Sequence, residues 1–539
     1  MNISFMRKNS LIAIIVALCV GISAYETAAV AQEPADVEQG TEVLTRGPVH
    51  EAFAETVSYD PQPGLIVSQT PPEPIEELPP GHKPAGANVA WIPGYWAWDE
   101  EREDYLWVSG IWRSLPPRRE WVPGYWATIQ QGYQWTSGYW ADASDSDVDY
   151  LPEPPATAEA GPNIAQPSPD YNWLPGSWIW QESRYVWRPG FWTVGQQGWD
   201  WVPAHYVWTP RGYVFVNGYW DYSVDRRGVL FSPVYFNPSV YGREGFSYSP
   251  SVVINLSGFS NHLFLRPSYG HYYFGDYYGS NYSTGGYYPW FAYHSSGRGY
   301  DPFYSHQRWS NRRNKGWANQ VETDFNNRRD HDDRRPPRTW KAQQRRIKDG
   351  RPTDRNNEVA TPYDEVVKRT ENRERFRSVD QAERRQVLQR GRDIRTFRAE
   401  RQKLESDASP KTESRKVKRP RSPVMGKPTD QLGKDNALPP RQNAPALDPK
   451  VEPKPKSERP RTTKPRNPKK VEPQEKPKSQ PTAKPKEESS GKPRGTTKDK
   501  PQSTPKSKPK DKPKDKPKDK PKDKPKDKPK DKPKDKPKD

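Results

Sequence analysis

Trp91-Ile92-Pro93-Gly94-Tyr95-Trp96, Trp107-Val108-Ser109-Gly110-Ile111-Trp112, Trp121-Val122-Pro123-Gly124-Tyr125-Trp126 and Trp135-Thr136-Ser137-Gly138-Tyr139-Trp140 are one six-residue frame written four times. A second quartet follows: Trp173-Leu174-Pro175-Gly176-Ser177-Trp178, Trp187-Arg188-Pro189-Gly190-Phe191-Trp192, Trp201-Val202-Pro203-Ala204-His205-Tyr206 and Phe215-Val216-Asn217-Gly218-Tyr219-Trp220. The copies start 16, 14, 14, 38, 14, 14 and 14 residues apart, and residues 91–220 hold 18 of the 22 tryptophans. A short fixed period marks one unit copied in tandem, which cannot bury its apolar face alone.

Aromatic and β-branched residues dominate each copy, and Tyr105/Trp107, Tyr133/Trp135 and Tyr185/Trp187 are spaced two apart, so each copy reads as a strand. The two tryptophans of a frame are five residues apart, which would send them to opposite faces of an unbroken strand. A β-bulge at the glycine, in the positive-φ conformation that glycine adopts most readily, would return them to one face. Turn residues recur between copies (Asp99-Glu100-Glu101-Arg102, Pro116-Pro117-Arg118-Arg119, Gln130-Gln131-Gly132), so each quartet is expected to be a four-stranded antiparallel meander with a Trp/Tyr ladder. The fold class is therefore mainly β in the repeat region, with short solvated helices and long disordered termini. On this geometry Tyr95, Tyr125, Tyr139 and Tyr219 face away from the tryptophan side and form the candidate ligand face.

Composition sets the expected boundaries. Residues 1–31 have a basic start (Arg7, Lys8), an apolar run Leu11–Ala24 and a small-x-small site, the anatomy of a signal peptide cleaved between Ala31 and Gln32. The single cysteine, Cys19, lies within it, so disulfides and thiolate metal sites are excluded from the mature chain. A lipid-anchored reading of Val16-Ala17-Leu18-Cys19 is disfavoured by the bulky Leu18. Residues 32–88 read as an acidic, proline-rich disordered spacer, 89–142 as the first quartet, 143–170 as an acidic proline-rich linker and 171–228 as the second quartet. Residues 229–310 form a Tyr/Gly-rich β region, with Val252–Leu256 and Leu263–Leu265 expected to pair as a hairpin and Tyr272–Tyr278 as an irregular aromatic edge. Residues 311–406 are Arg-rich, with helix starts at Thr361-Pro362 and Ser378–Gln381 that predict a solvated helical hairpin. Residues 407–539 read as a Lys/Pro-rich disordered tail ending in tandem Pro-Lys-Asp-Lys units.

Charge divides the chain. Residues 32–310 carry 15 basic and 30 acidic side chains, whereas 311–539 carry 70 and 37, within a net +19 for all 539 residues. A polybasic arm binds polyanions by counterion release, so an anionic envelope polymer or polysaccharide is the expected partner. Export argues against nucleic acid, no later segment is apolar enough to span a membrane, and the oligomeric state is left open. Catalytic spacing is not found: the eight histidines show no His-x-x-x-His pairing, and there is no Gly-x-Ser-x-Gly elbow or phosphate-binding glycine loop. No catalytic, metal or cofactor residue is assigned.

Trp91–Trp96, Trp121–Trp126 and Tyr133–Trp140 resemble the bacterial WXXGXW (YXWGXW) repeat family, over about 130 of 539 residues. The resemblance implies export and several copies, and it supplies no activity. The expected function is a non-enzymatic structural or adhesive protein of the cell envelope or surface. The alternative is a carbohydrate-binding protein that uses exposed Tyr/Trp platforms.

Overall fold

The eight copies fold two by two in the computed structural model, which describes residues 40–350, 358–372, 374–406, 414–428, 439 and 445–454. The 1–31 leader with its Ala31/Gln32 site and the Pro-Lys-Asp-Lys repeats lie outside the described residues. One structural unit runs to Thr462, and all of the second, Thr463–Asp539, lies outside them too.

Each copy supplies two short strands separated by its third and fourth residues. In hairpin 1, Val89–Ile92 and Tyr95–Asp99 return through Asp104–Val108 and Ile111–Ser114. Hairpin 2 is Arg119–Val122, Tyr125–Ile129, Gly132–Thr136 and Tyr139–Asp142, and hairpin 3 is Tyr171–Leu174, Ser177–Gln181, Arg184–Arg188 and Phe191–Val194. Hairpin 4 is Trp199–Val202, His205–Thr209, Gly212–Val216 and Tyr219–Tyr222. Five copies have proline at the third position, where it has no N–H for a ladder. Turn length explains the 16-residue step: Asp99 and Asp104 enclose four residues, whereas Gln181 and Arg184 enclose Glu182 and Ser183, both at positive φ as a primed hairpin turn requires.

The strands are antiparallel, as expected, but two expected details are corrected. First, no four-stranded meander forms. The outer strand of the second copy pairs back to the first and then to Gly228–Leu230, while Trp121 of the third donates its N–H to Val424, so both edges are taken. Second, no bulge forms. Ile92 faces Ile111 and Tyr95 faces Val108, which leaves two residues on each strand at the break and an unchanged register. The two tryptophans of a frame therefore keep opposite faces. Trp91 and Trp112 pack with Val229, Phe231, Val253 and Tyr363, whereas Trp96 and Trp107 pack with Val67, Ile75, Val234 and Phe236. First ring pairs with last and second with third in every hairpin, with centroids 5.1–5.4 Å apart. Such aromatic pairs add about 0.5–1.5 kcal/mol each beyond their burial.

The largest core is not made by the repeats alone. Val49, Ala52, Phe53 and Ala54, in the stretch expected to be a disordered spacer, pack with Ile92, Ile111, Trp121, Trp140, Leu265, Ile394 and Phe397. Residues 40–88 are thus an integral part of the fold, because they carry the aliphatic groups that the repeats lack. The 143–170 linker also supplies a strand, Asp147–Leu151, between Gly212–Val216 and Arg415–Lys418. In the tail, the 414–428 segment places Arg419 against the fully buried Glu120. The expected hairpin at 252–265 is replaced: Val252–Ile254 pairs with Ala360–Pro362, and Leu263–Arg266 with His271–Phe274. Tyr272 and Tyr273 are interior strand residues rather than an edge.

Helix Gln381–Glu405 starts where expected, with the Asp380 carboxylate capping the Glu383 N–H. It is one helix rather than half of a solvated hairpin, and it buries Val387, Ile394, Phe397 and the ion-paired Arg401 and Glu405. A Cβ added to its Gly391 would meet nothing within 4 Å. Gly391→Ala is expected to stabilise the protein by about 0.5–1 kcal/mol, read as a higher denaturant midpoint, because glycine costs entropy inside a helix. No helix among the described residues is long and apolar enough to cross a membrane.

Candidate functional site: the carboxylate-capped kinks

Where both strands of a hairpin break together, two glycine N–H groups lose their ladder partners. A buried polar group left unpaired costs about 1–3 kcal/mol, so something must accept them. In hairpin 1 it is Glu77: its carboxylate takes Gly94 N–H at 2.7 Å, Gly110 N–H at 2.9 Å and the Trp107 indole N–H at 3.0 Å. In hairpin 2 Glu51 takes the Trp135 indole at 3.0 Å and Gly138 N–H at 3.1 Å. In hairpin 3 Glu159 takes the Trp173 indole at 3.0 Å and Gly176 N–H. In hairpin 4 Glu55 instead takes the Tyr219 hydroxyl at 2.8 Å and lies 3.1 Å from His205 Nε2. All four glutamates come from segments that read as acidic spacers.

The glycines serve this packing through the hydrogen they present. None of Gly94, Gly110, Gly124, Gly138, Gly176, Gly190 and Gly218 has positive φ. Each instead lies under the indole of the partner copy: a Cβ on Gly110 would stand 2.5 Å from Trp91 Cζ2 and 2.6 Å from the Glu77 carboxylate. Gly94, Gly124, Gly138, Gly176, Gly190 and Gly218 meet Trp107, Trp135, Trp121, Trp187, Trp173 and Trp201 in the same way. The exception follows the rule. Ala204 occupies a glycine position, and the ring that its partner copy supplies is the smaller Phe215.

Several carbonyls at the kinks are also capped. Arg401 donates to Pro123 and Ser137 at 2.8 and 3.0 Å, and His50, which accepts the Ala52 N–H at Nδ1, donates Nε2–H to Pro93 at 3.2 Å. Asp200 and Asp221 stand opposite each other in hairpin 4, and two buried guanidiniums offset their repulsion. Arg113 binds Asp221 through both oxygens at 2.6 Å, and Arg227 binds Asp200 at 2.9 Å.

The candidate ligand-face tyrosines are placed inside the protein. Tyr95, Tyr125, Tyr139 and Tyr219 are 5%, 2%, 2% and 5% exposed. Tyr95 stacks on Trp135 and donates to His271, Tyr125 donates to Glu405, and Tyr139 lies against the Arg401 guanidinium. Each faces away from the tryptophan next to it in its strand, but tryptophans lie on both faces of a hairpin and other elements cover each face. A cleft of about 690 Å3 is lined by residues that include Asn88, Tyr222, Arg226, Leu230, Ile254 and Phe376, with no repeat tryptophan among them.

Burial pushes the Glu77 and Glu51 carboxyls up to about 7, against the pull of the amide and indole donors. A carboxyl raised from 4.5 holds its proton more tightly when folded, so its contribution is complete below pH 4.5 and is lost as pH rises through 7. Burial lowers His50 to about 3 and His271 to about 4, so their contribution is present above 6.5 and is lost as pH falls toward 4. The two slopes oppose between pH 4.5 and 6.5. Stability is expected to decline between pH 6.5 and 7.5, measured by urea denaturation, and to decline less in Glu77→Gln.

The WXXGXW repeat (2 copies) family matches residues 86–113, 121–141, 169–193, 185–210, 197–221 and 211–225. Four of these ranges, 86–113, 121–141, 169–193 and 197–221, each coincide with one hairpin, whereas 185–210 runs from hairpin 3 into hairpin 4. No curated protein and no solved structure matches the chain. Residues 86–225 thus carry repeats of the WXXGXW family.

Proposed function

We propose that this is a non-enzymatic, exported structural or adhesive protein of the bacterial cell envelope or surface. In this reading the hairpins form a rigid framework, and the basic tail associates with an anionic envelope polymer. One observation carries the proposal: the residues that define the motif are consumed by architecture. Trp91, Trp107, Trp112, Trp121, Trp135 and Trp140 are among the largest fully buried side chains, and the kink amides are already capped by internal glutamates. The buried group most like a catalytic cluster, Tyr95–His271–Glu51, is enclosed at 5%, 0% and 3% exposure, out of reach of a substrate. Carbohydrate recognition remains a second reading, supported by the half-exposed Trp173, Trp180 and Trp192 of hairpin 3 in place of the buried tyrosines.

Cell fractionation tests it with the full chain and a chain ending at Lys454, which keeps every described residue. The mature protein should begin at Gln32, and the full chain should leave the envelope only at high salt, the shortened one at low salt. An uncleaved cytoplasmic product, or equal release of the two, would overturn the reading.

A further inference from the structure

Hairpins 1 and 3 each hold an acidic segment through an indole–carbonyl hydrogen bond and a glutamate in the kink, with the glutamate on the Trp107 indole in hairpin 1 and on the Trp173 indole in hairpin 3. In hairpin 1 the Trp96 indole donates to the Glu73 carbonyl at 2.9 Å, and four residues on Glu77 enters the kink. In hairpin 3 the equivalent Trp178 donates to the Ala156 carbonyl at 3.1 Å, and three residues on Glu159 enters the kink. A third indole, Trp192, holds the Ile164 carbonyl at 3.0 Å. In both hairpins a backbone carbonyl on an indole and a carboxylate in the kink, three or four residues later, hold an extended acidic segment, the contacts by which a peptide is recognised.

The two sites differ in depth. Glu77 is 6% exposed, whereas Glu159 is half-buried on a segment whose residues 162–167 are exposed. Around hairpin 3, Ile164 is 60% and Val194 42% exposed, two of the five exposed large hydrophobics among the described residues. Its outer strands, Tyr171–Leu174 and Phe191–Val194, form a two-stranded ribbon, whereas the outer strands of hairpin 1 have a third strand alongside.

We propose that hairpin 3 is a peptide-binding site that exchanges its own Ala156–Ile164 segment for an extended acidic segment of a partner protein. The partner would place a glutamate on the Trp173 indole and Gly176 N–H, a carbonyl on the Trp178 indole in place of that of Ala156, and an apolar residue beside Val194 in place of Ile164. Complementarity of charge selects it: the groups that meet Glu159 are the Trp173 indole N–H and the Gly176 N–H, two donors that a carboxylate satisfies better than an amide does. The proposal goes beyond the framework role and does not depend on where the protein resides.

The probe is a labelled peptide of residues 71–79, Pro-Pro-Glu-Pro-Ile-Glu-Glu-Leu-Pro, the segment that hairpin 1 already holds. Binding is read by fluorescence anisotropy on the full chain and on Glu159→Ala, with circular dichroism as the folding control. At least tenfold tighter binding by Glu159→Ala is expected, and loss of that gain when the peptide carries Gln at its Glu77 position. Acetate should also raise the Glu159→Ala melting temperature above a chloride control of equal ionic strength. Should the alanine variant fail to fold, Glu159→Gln replaces it. Absence of binding to the folded variant, or indifference to the glutamate-to-glutamine change, overturns the proposal.

Discussion

Gly110→Ala is expected to destabilise the protein by about 3 kcal/mol or more, at the upper end of overpacking changes. The added methyl would meet Trp91 Cζ2 at 2.5 Å, the Glu77 carboxylate at 2.6 Å and the Ile92 carbonyl at 2.7 Å. None of the three can yield. Trp91 is 2% exposed and wedged against Trp112 and Phe231, Glu77 is held by its N–H donors, and the third atom is backbone. Gly161→Ala is the control: it has nothing within 4 Å and only its positive φ, so about 1–2 kcal/mol is expected. Hairpin 4 shows how the clash is relieved, because Ala204 there is matched by Phe215. Trp91→Phe placed on Gly110→Ala should therefore recover part of the loss, a favourable coupling of about 1–2 kcal/mol in a double-mutant cycle. Purely additive losses would mean that the indole does not set the glycine requirement.

Glu77→Ala should cost about 3–5 kcal/mol at pH 7, the range found when one partner of a buried charged cluster is removed. It strands Gly94 N–H, Gly110 N–H and the Trp107 indole N–H at a buried kink. Glu159→Ala removes the equivalent group from a half-buried kink, where solvent replaces it, and about 1 kcal/mol is expected. Equal denaturant midpoints for the two variants would refute the view that depth sets the contribution of each cap.

Much of the repeat region was legible from local chemistry. Strand character follows from Trp, Tyr, Val and Ile spaced two apart, and the turns follow from their Gly, Pro and acidic residues. The break at Pro93-Gly94 is also visible in the sequence, but its mechanism is not. A glycine needed for positive φ and one needed because an indole covers it look the same in a sequence. The distinction lies with Trp91, 19 residues before Gly110 and across the hairpin. Parity five between the tryptophans was a true signal of opposite faces, and the inferred bulge removed it. Glu51, Glu55, Glu77 and Glu159 carried no mark in the sequence, because a solvated carboxylate in a proline-rich stretch and a buried cap have the same composition. The burial of Tyr95, Tyr125, Tyr139 and Tyr219 was likewise hidden: their covers include His271, 176 residues away, and Glu405, 280 residues away.

The sequence by itself determined the period, the antiparallel strands, the frame of paired rings and the start of the helix at Gln381, since each rests on contacts within a few residues. Only the tertiary structure decided that copies pair in twos, that residues 40–88 complete the core and that glutamates close the kinks. The physical reason is that an unmet N–H and an uncovered ring can be satisfied by any segment that reaches them, and reach is a property of the closed chain.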